Sequence, residues 1–67
     1  MQGIEEKKAM VKRLNARAVQ AKMDLHDLSE ELPNNWQRIL EVAQTAYDAH
    51  AALAQARKEA AGEQVDT

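Results

Sequence analysis

A chain of 67 residues can hold one domain, and 13 of its 30 apolar residues are alanine, which leaves 17 large apolar side chains for a core. Nine basic against 11 acidic residues give a net charge of −2, which argues against a general nucleic-acid binder. The absence of cysteine excludes disulfides, thiolate metal sites and cysteine nucleophiles. Two glycines and one proline supply too few turns for a multi-strand β protein. No apolar run approaches the ~18–20 residues of a membrane span, and no signal-peptide pattern opens the sequence, so a cytoplasmic helical protein is expected. Below roughly 70–80 residues a lone core rarely supplies more than about 3–5 kcal/mol, so a second subunit is expected to complete it.

The first half reads as a heptad. Ile4, Val11, Leu14, Ala18, Ala21, Leu25, Leu28 and Leu32 form an a/d seam that only Lys7 interrupts. Gly3 can cap this helix, with Glu5 and Glu6 in a first turn where the macrodipole favours acids. The helix is expected over about residues 4–31, because Pro33 lacks an N–H and disfavours helical geometry at Leu32.

After a connector at residues 32–34, Asn34 followed by Gln37 fits a capping box that opens a second helix over about residues 35–61. Gly62 is the expected C-cap, Arg57 and Lys58 suit the negative end of the dipole, and residues 62–67 read as a frayed tail. The whole chain is then one antiparallel helical hairpin. A turn centred on Asn34 pairs Leu28 with Leu40, Leu25 with Ala43, Ala21 with Tyr47, Ala18 with His50 and Leu14 with Ala54, setting large against small along much of the seam.

The second helix is apolar over more than a hairpin can cover. Its seam reads Trp36, Ile39, Ala43, Ala46, His50 and Leu53, with Leu40, Tyr47 and Ala54 on one flank and Val42, Ala49 and Ala56 on the other. One neighbouring helix covers one flank, and a second copy of the hairpin covers the other. This predicts a homodimeric four-helix bundle with Leu14, Leu25, Leu28, Trp36, Ile39, Leu40, Tyr47 and Leu53 in its core and dimer contacts.

Few residues suggest catalysis or ligand binding. Asp24, His26, Asp27, Glu30 and Glu31 cluster, but Asp24 and Glu31 point away from the side shared by His26 and Glu30, and the Glu-x-x-His pattern of di-iron bundles is missing. A solvated polar face explains them better than a metal site. His50 falls on the seam, where a hydrogen-bonded core histidine is favoured over a pH-sensitive switch of association. Ser29 is the only serine and has neither a Gly-rich loop nor an oxyanion donor beside it, and a hairpin has no pocket of its own. No enzyme, cofactor or catalytic residue is expected.

Charge is more informative. Lys7, Lys8, Lys12, Arg13, Arg17 and Lys22 form a basic stretch without an acid, and Asp24, Asp27, Glu30 and Glu31 follow as an acidic one without a base. Acids in the last turns of a helix oppose its macrodipole, unless Arg38 neutralises part of them. Beside them runs an outward stripe of Ala16, Val19, Met23 and His26, apolar enough to suggest a docking surface formed by Val19, Met23, Asp24, His26, Asp27 and Glu30.

Residues 18–36 resemble the Rop-like family of short proteins from bacterial nitrogen-fixation gene clusters. The elements that carry the resemblance are Ala21-Lys22-Met23-Asp24-Leu25-His26-Asp27-Leu28, then Leu32-Pro33, then Trp36. The resemblance implies two helices with a four-residue linker and a rod-like dimer shaped like the Rop RNA-binding protein. It also implies a role beside nitrogenase, and its shared run includes Met23, His26 and Asp27, which the seam leaves outside the core. The favoured function is a non-catalytic interaction protein whose helical dimer docks on a nitrogenase or nitrogenase-assembly component. The alternative is Rop-like RNA binding through the basic stretch of the first helix, a weaker reading because fold analogy is its main warrant.

Overall fold

A computed structural model describes residues 2–65. Two antiparallel helices, α1 (Gln2–Glu31) and α2 (Ile39–Val65), are joined by a turn at residues 32–35 and one 3-10 turn at Trp36–Arg38. Together they make a rod of 51 × 14 × 13 Å.

The connector turns on a residue that sequence reading assigns to the second helix. Asn35 adopts a left-handed backbone at φ 63°, ψ 24°, a region that asparagine tolerates better than other non-glycine residues. Its side-chain Nδ2 donates to Glu31 Oε1 at 2.8 Å, and its carbonyl accepts the Arg38 N–H at 3.0 Å. The Asn34 N–H donates to the Glu31 carbonyl at 2.9 Å, continuing the chain out of α1. The peptide bond between Leu32 and Pro33 is cis. The capping box expected at Asn34 and Gln37 is therefore absent: the left-handed residue takes over the reversal, and α2 starts through a 3-10 turn. Asn35→Val should destabilise the fold by about 1–2 kcal/mol, the usual cost of forcing a side chain branched at Cβ into this region. Asn35→Gly should cost clearly less. Thermal unfolding of the two variants checks the order.

The helix ends also differ from expectation. Gly3 lies inside the first turn of α1 and does not cap it. α2 runs through Gly62 to Val65, so Gly62 is no C-cap, and Arg57 and Lys58 sit about two turns before its end. Residues 63–65 of the expected tail are helical, while 66 and 67 lie outside the described residues.

Between the helices, Ala18, Ala21 and Leu28 of α1 are buried with Val42, Ala46 and Leu53 of α2. Half-buried Val11 and Leu14 extend the first edge, and Ala49, Ala56 and Ala60 the second. Three of the six buried side chains are alanine, so the backbones can approach closely and small residues define the contact line. About midway along α1 the hairpin is tied by Arg57 Nη2, which donates to Asn15 Oδ1 at 3.3 Å.

This line corrects the expected register. Leu40, Tyr47, His50 and Ala54 are all exposed, so they do not face Leu28, Ala21, Ala18 and Leu14 across the hairpin. The α2 edge turned to α1 is Val42, Ala46, Ala49, Leu53, Ala56 and Ala60, rotated by roughly 60–70° from the expected seam at ~100° per residue. Two causes act together. A 3-10 turn winds ~20° further per residue than an α-helix, so its three residues shift the phase of α2 by about 60°. The close approach at Ala18 and Ala21 also admits alanines and a valine, whereas Leu40 and Tyr47 are too bulky for it.

Candidate functional site: two exposed apolar faces

The rotation of α2 leaves its bulkiest apolar residues uncovered. Trp36 is 61% exposed, Leu40 81% and Tyr47 72%, with Ile39 also exposed beside them. On α1, Leu25 and Leu32 are exposed next to buried Leu28. Leu40, Ala43, Gln44 and Tyr47 line a shallow depression in this face. The opposite side of the helix–helix groove is mixed, lined by Leu14, Ala21, Ala49 and Ala52 together with Arg17, Gln20, Asp24, Thr45 and Asp48. Trp36, Leu40 and Tyr47, the most exposed large apolar residues, are not part of this second lining. Of the residues assigned to core and dimer contacts, Leu28 and Leu53 are buried and Leu14 half-buried in the hairpin, while Leu25, Trp36, Ile39, Leu40 and Tyr47 are exposed. His50 is exposed rather than enclosed as a core histidine, because the same rotation carries it out of the seam.

A second face lies on α1, away from α2. Val19 is 47% exposed and Met23 54%, with exposed Ala16 and His26 on either side. The His26 imidazole sits between two acids, Nδ1 at 3.9 Å from Asp27 Oδ1 and Nε2 at 3.5 Å from Glu30 Oε2. All three side chains are about two-thirds or more exposed, so water and salt screen these contacts, and they shape the surface more than they stabilise it. Ser29 Oγ donates to the His26 carbonyl at 2.7 Å, which holds the hydroxyl against its own helix.

Asp24 does not join this group. It accepts from Gln20 Nε2 at 3.0 Å and lines a shallow cleft with Ala21, Val42 and Thr45, where Arg38 and Glu41 also lie. Arg38 Nε, at the end of the 3-10 turn, pairs with Glu41 in the first turn of α2 at 3.2 Å rather than with the acids closing α1. The expected docking set therefore divides, with Val19, Met23, His26, Asp27 and Glu30 on the outer side and Asp24 on the cleft side. Among the described residues no three histidines or acids are grouped to hold a metal, and no helix is long and apolar enough to cross a membrane.

Two features escaped the sequence. The tie between Asn15 and Arg57 joins residues 42 apart with no local signal. The choice of the Val42/Ala49 flank was open in the pattern, since both flanks of α2 are apolar and the connector decides between them.

Comparison with known proteins agrees with this geometry. The sequence model described as Rop-like matches residues 2–64. A UPF0437 protein of Azorhizobium caulinodans is 59% identical over 58 residues, spanning 87% of this chain and 84% of that protein. In Frankia alni, a protein described as "UPF0437 protein in nifX-nifW intergenic region" is 46% identical over 44 residues, 66% of this chain and 54% of that one. An NMR structure of a structural-genomics target superposes with a TM-score of 0.81 at 53% identity, covering 87% of this chain and 82% of that one. With the Rop-like match covering nearly the whole hairpin, the chain belongs to the Rop-like family.

Proposed function

We propose that the protein is a non-catalytic interaction protein, a homodimeric four-helix bundle that docks in the cytoplasm on a component of nitrogenase or of its assembly machinery. The observation that carries the dimer is surface area. The hairpin exposes 5416 Å², whereas a compact monomer of 7.5 kDa exposes about 4,200 Å². The excess, roughly 1,200 Å² per chain, exceeds the ~800 Å² that each partner buries in a standard interface. The apolar side bearing Trp36, Leu40 and Tyr47 is the surface that a second copy covers at least cost, with helices crossing at about 20° as in heptad packing.

Docking is then left to the outer face of α1. Val19, Met23, His26, Asp27 and Glu30 supply an apolar centre with an acidic border, and Asp24 flanks it from the cleft side. The nitrogen-fixation setting is supported by the Frankia alni relative, whose description places it between nifX and nifW. The shallow clefts and the back-bonded Ser29 support a binding role over a catalytic one.

Capture from lysates of nitrogen-fixing cells tests the reading. The wild-type protein should retain a nitrogenase or assembly component that Met23→Glu, still folded by circular dichroism, loses at least tenfold. Equal capture by both proteins would remove this face as the docking site. Recovery of structured RNA in place of protein would favour the Rop-like RNA-binding alternative.

A further inference from the structure

The outer face of α1 carries an ordered sequence of charge. Along the side turned away from α2 the chain presents Lys8 and Lys12, then Ala16, Val19 and Met23, then Asp27 and Glu30. Basic, apolar and acidic segments follow one another over 22 residues, about 33 Å at ~1.5 Å per residue. All seven residues are exposed. Among the described residues Lys8 and Lys12 have no ion-pair partner within the hairpin, and the acids meet only His26 of their own helix.

Such a face is complementary to itself when reversed. A two-fold axis through Val19 sets facing residues to numbers that sum to 38 or 39. Lys12 then meets Asp27, Lys8 meets Glu30, Met23 fits over Ala16, and Val19 packs on Val19 of the other copy. Each large apolar residue finds a small or matching one, and each lysine finds an acid. Of the other ionisable groups on this side, Glu5 falls opposite residues beyond the end of α1 and His26 falls beside Lys12 and Arg13, held between Asp27 and Glu30 of its own helix. Antiparallel helices also set opposite ends of their macrodipoles side by side. The face is isologous in the sense that a two-fold interface requires.

We infer that a second copy of the protein covers this outer face, pairing α1 with α1 antiparallel about Val19, and that this pairing occludes the docking surface until a partner displaces it. The regulatory half rests on the docking reading above; the pairing does not. Because Lys12, Asp27, Lys8 and Glu30 stay at the rim, the association is weak and salt-dependent, unlike the apolar contact through Leu40 and Tyr47. A bundle of two chains carries two such faces, so pairing raises the mass to at least twice that of the bundle.

Sedimentation of the purified protein tests this, measured against the mass that persists in 1 M salt, where the Debye length is about 3 Å. At about 10 mM salt the weight-average mass should rise with concentration above that baseline, to at least twice its value at the highest concentrations. Lys12→Glu should abolish the rise with unchanged helicity, and Lys12→Glu combined with Asp27→Lys should restore it. A mass that never exceeds the high-salt baseline would overturn the inference, as would a rise untouched by Lys12→Glu or a double exchange that fails to restore it. No partner is present in this experiment, so its failure leaves docking intact. Loss of the Met23 effect in lysate capture, conversely, leaves the pairing intact.

Discussion

Leu40→Asp should unfold the protein and dissociate it in one transition. Leu40 is the most exposed large apolar residue of the described hairpin and lies between Trp36 and Tyr47 on the open side. Fully burying a leucine contributes about 1.5–3 kcal/mol, so the two copies in a bundle lose about 3–6 kcal/mol before the carboxylate's desolvation is counted. Small domains hold about 5–15 kcal/mol in total, so little stability remains. Helicity and sedimented mass should fall together at micromolar concentration. Lys12→Ala, on the exposed side of α1, should move the unfolding free energy by no more than about 0.5 kcal/mol at moderate salt. A Leu40→Asp protein that stays as helical and as heavy as wild type would show that this side is not an interface.

The second large effect belongs to the line between the helices. Ala18 is 1% exposed, and no larger side chain fits there without moving the backbones apart. Ala18→Leu should cost about 1–3 kcal/mol per chain from overpacking. Ala9→Leu, on the exposed surface of the same helix, should change stability little, since alanine and leucine have similar helix propensity. Denaturation midpoints compare the two. If Ala18→Leu were as stable as Ala9→Leu, the alanine-lined close approach would be wrong.

The heptad from Val11 to Leu28 and the stop at Pro33 were readable because apolar period and proline sterics act locally. The excess of apolar surface on α2 was readable for the same reason, since both flanks can be counted from spacing alone. Which flank meets α1 was not, because the azimuth of α2 depends on a left-handed Asn35 and a 3-10 turn, and Asn34-Asn35 offers two residues able to take either role. Leu40, Tyr47 and His50 therefore point outward, while Val42 joins Ala46 and Leu53 of the expected seam against α1. Of the outer face, Val19, Met23, His26, Asp27 and Glu30 were placed by helical phase. Asp24, one residue from Met23, turned toward the cleft because neighbours on a helix lie ~100° apart. The tie from Arg57 to Asn15 joins two helices far apart in sequence, and nothing local in either segment announces it.

The open side of α2 is either covered by a second copy or left to water. Sedimentation combined with circular dichroism in moderate salt, followed through dilution from micromolar to nanomolar concentration, tests this most directly. Folding and association are one equilibrium if the bundle is obligate, so the mass of about 15 kDa, twice the 7.5 kDa chain, should decline in step with helicity. The emission of Trp36 should shift to the red over the same range as the ring returns to water. A 7.5 kDa species that keeps its full helicity on dilution would contradict the account.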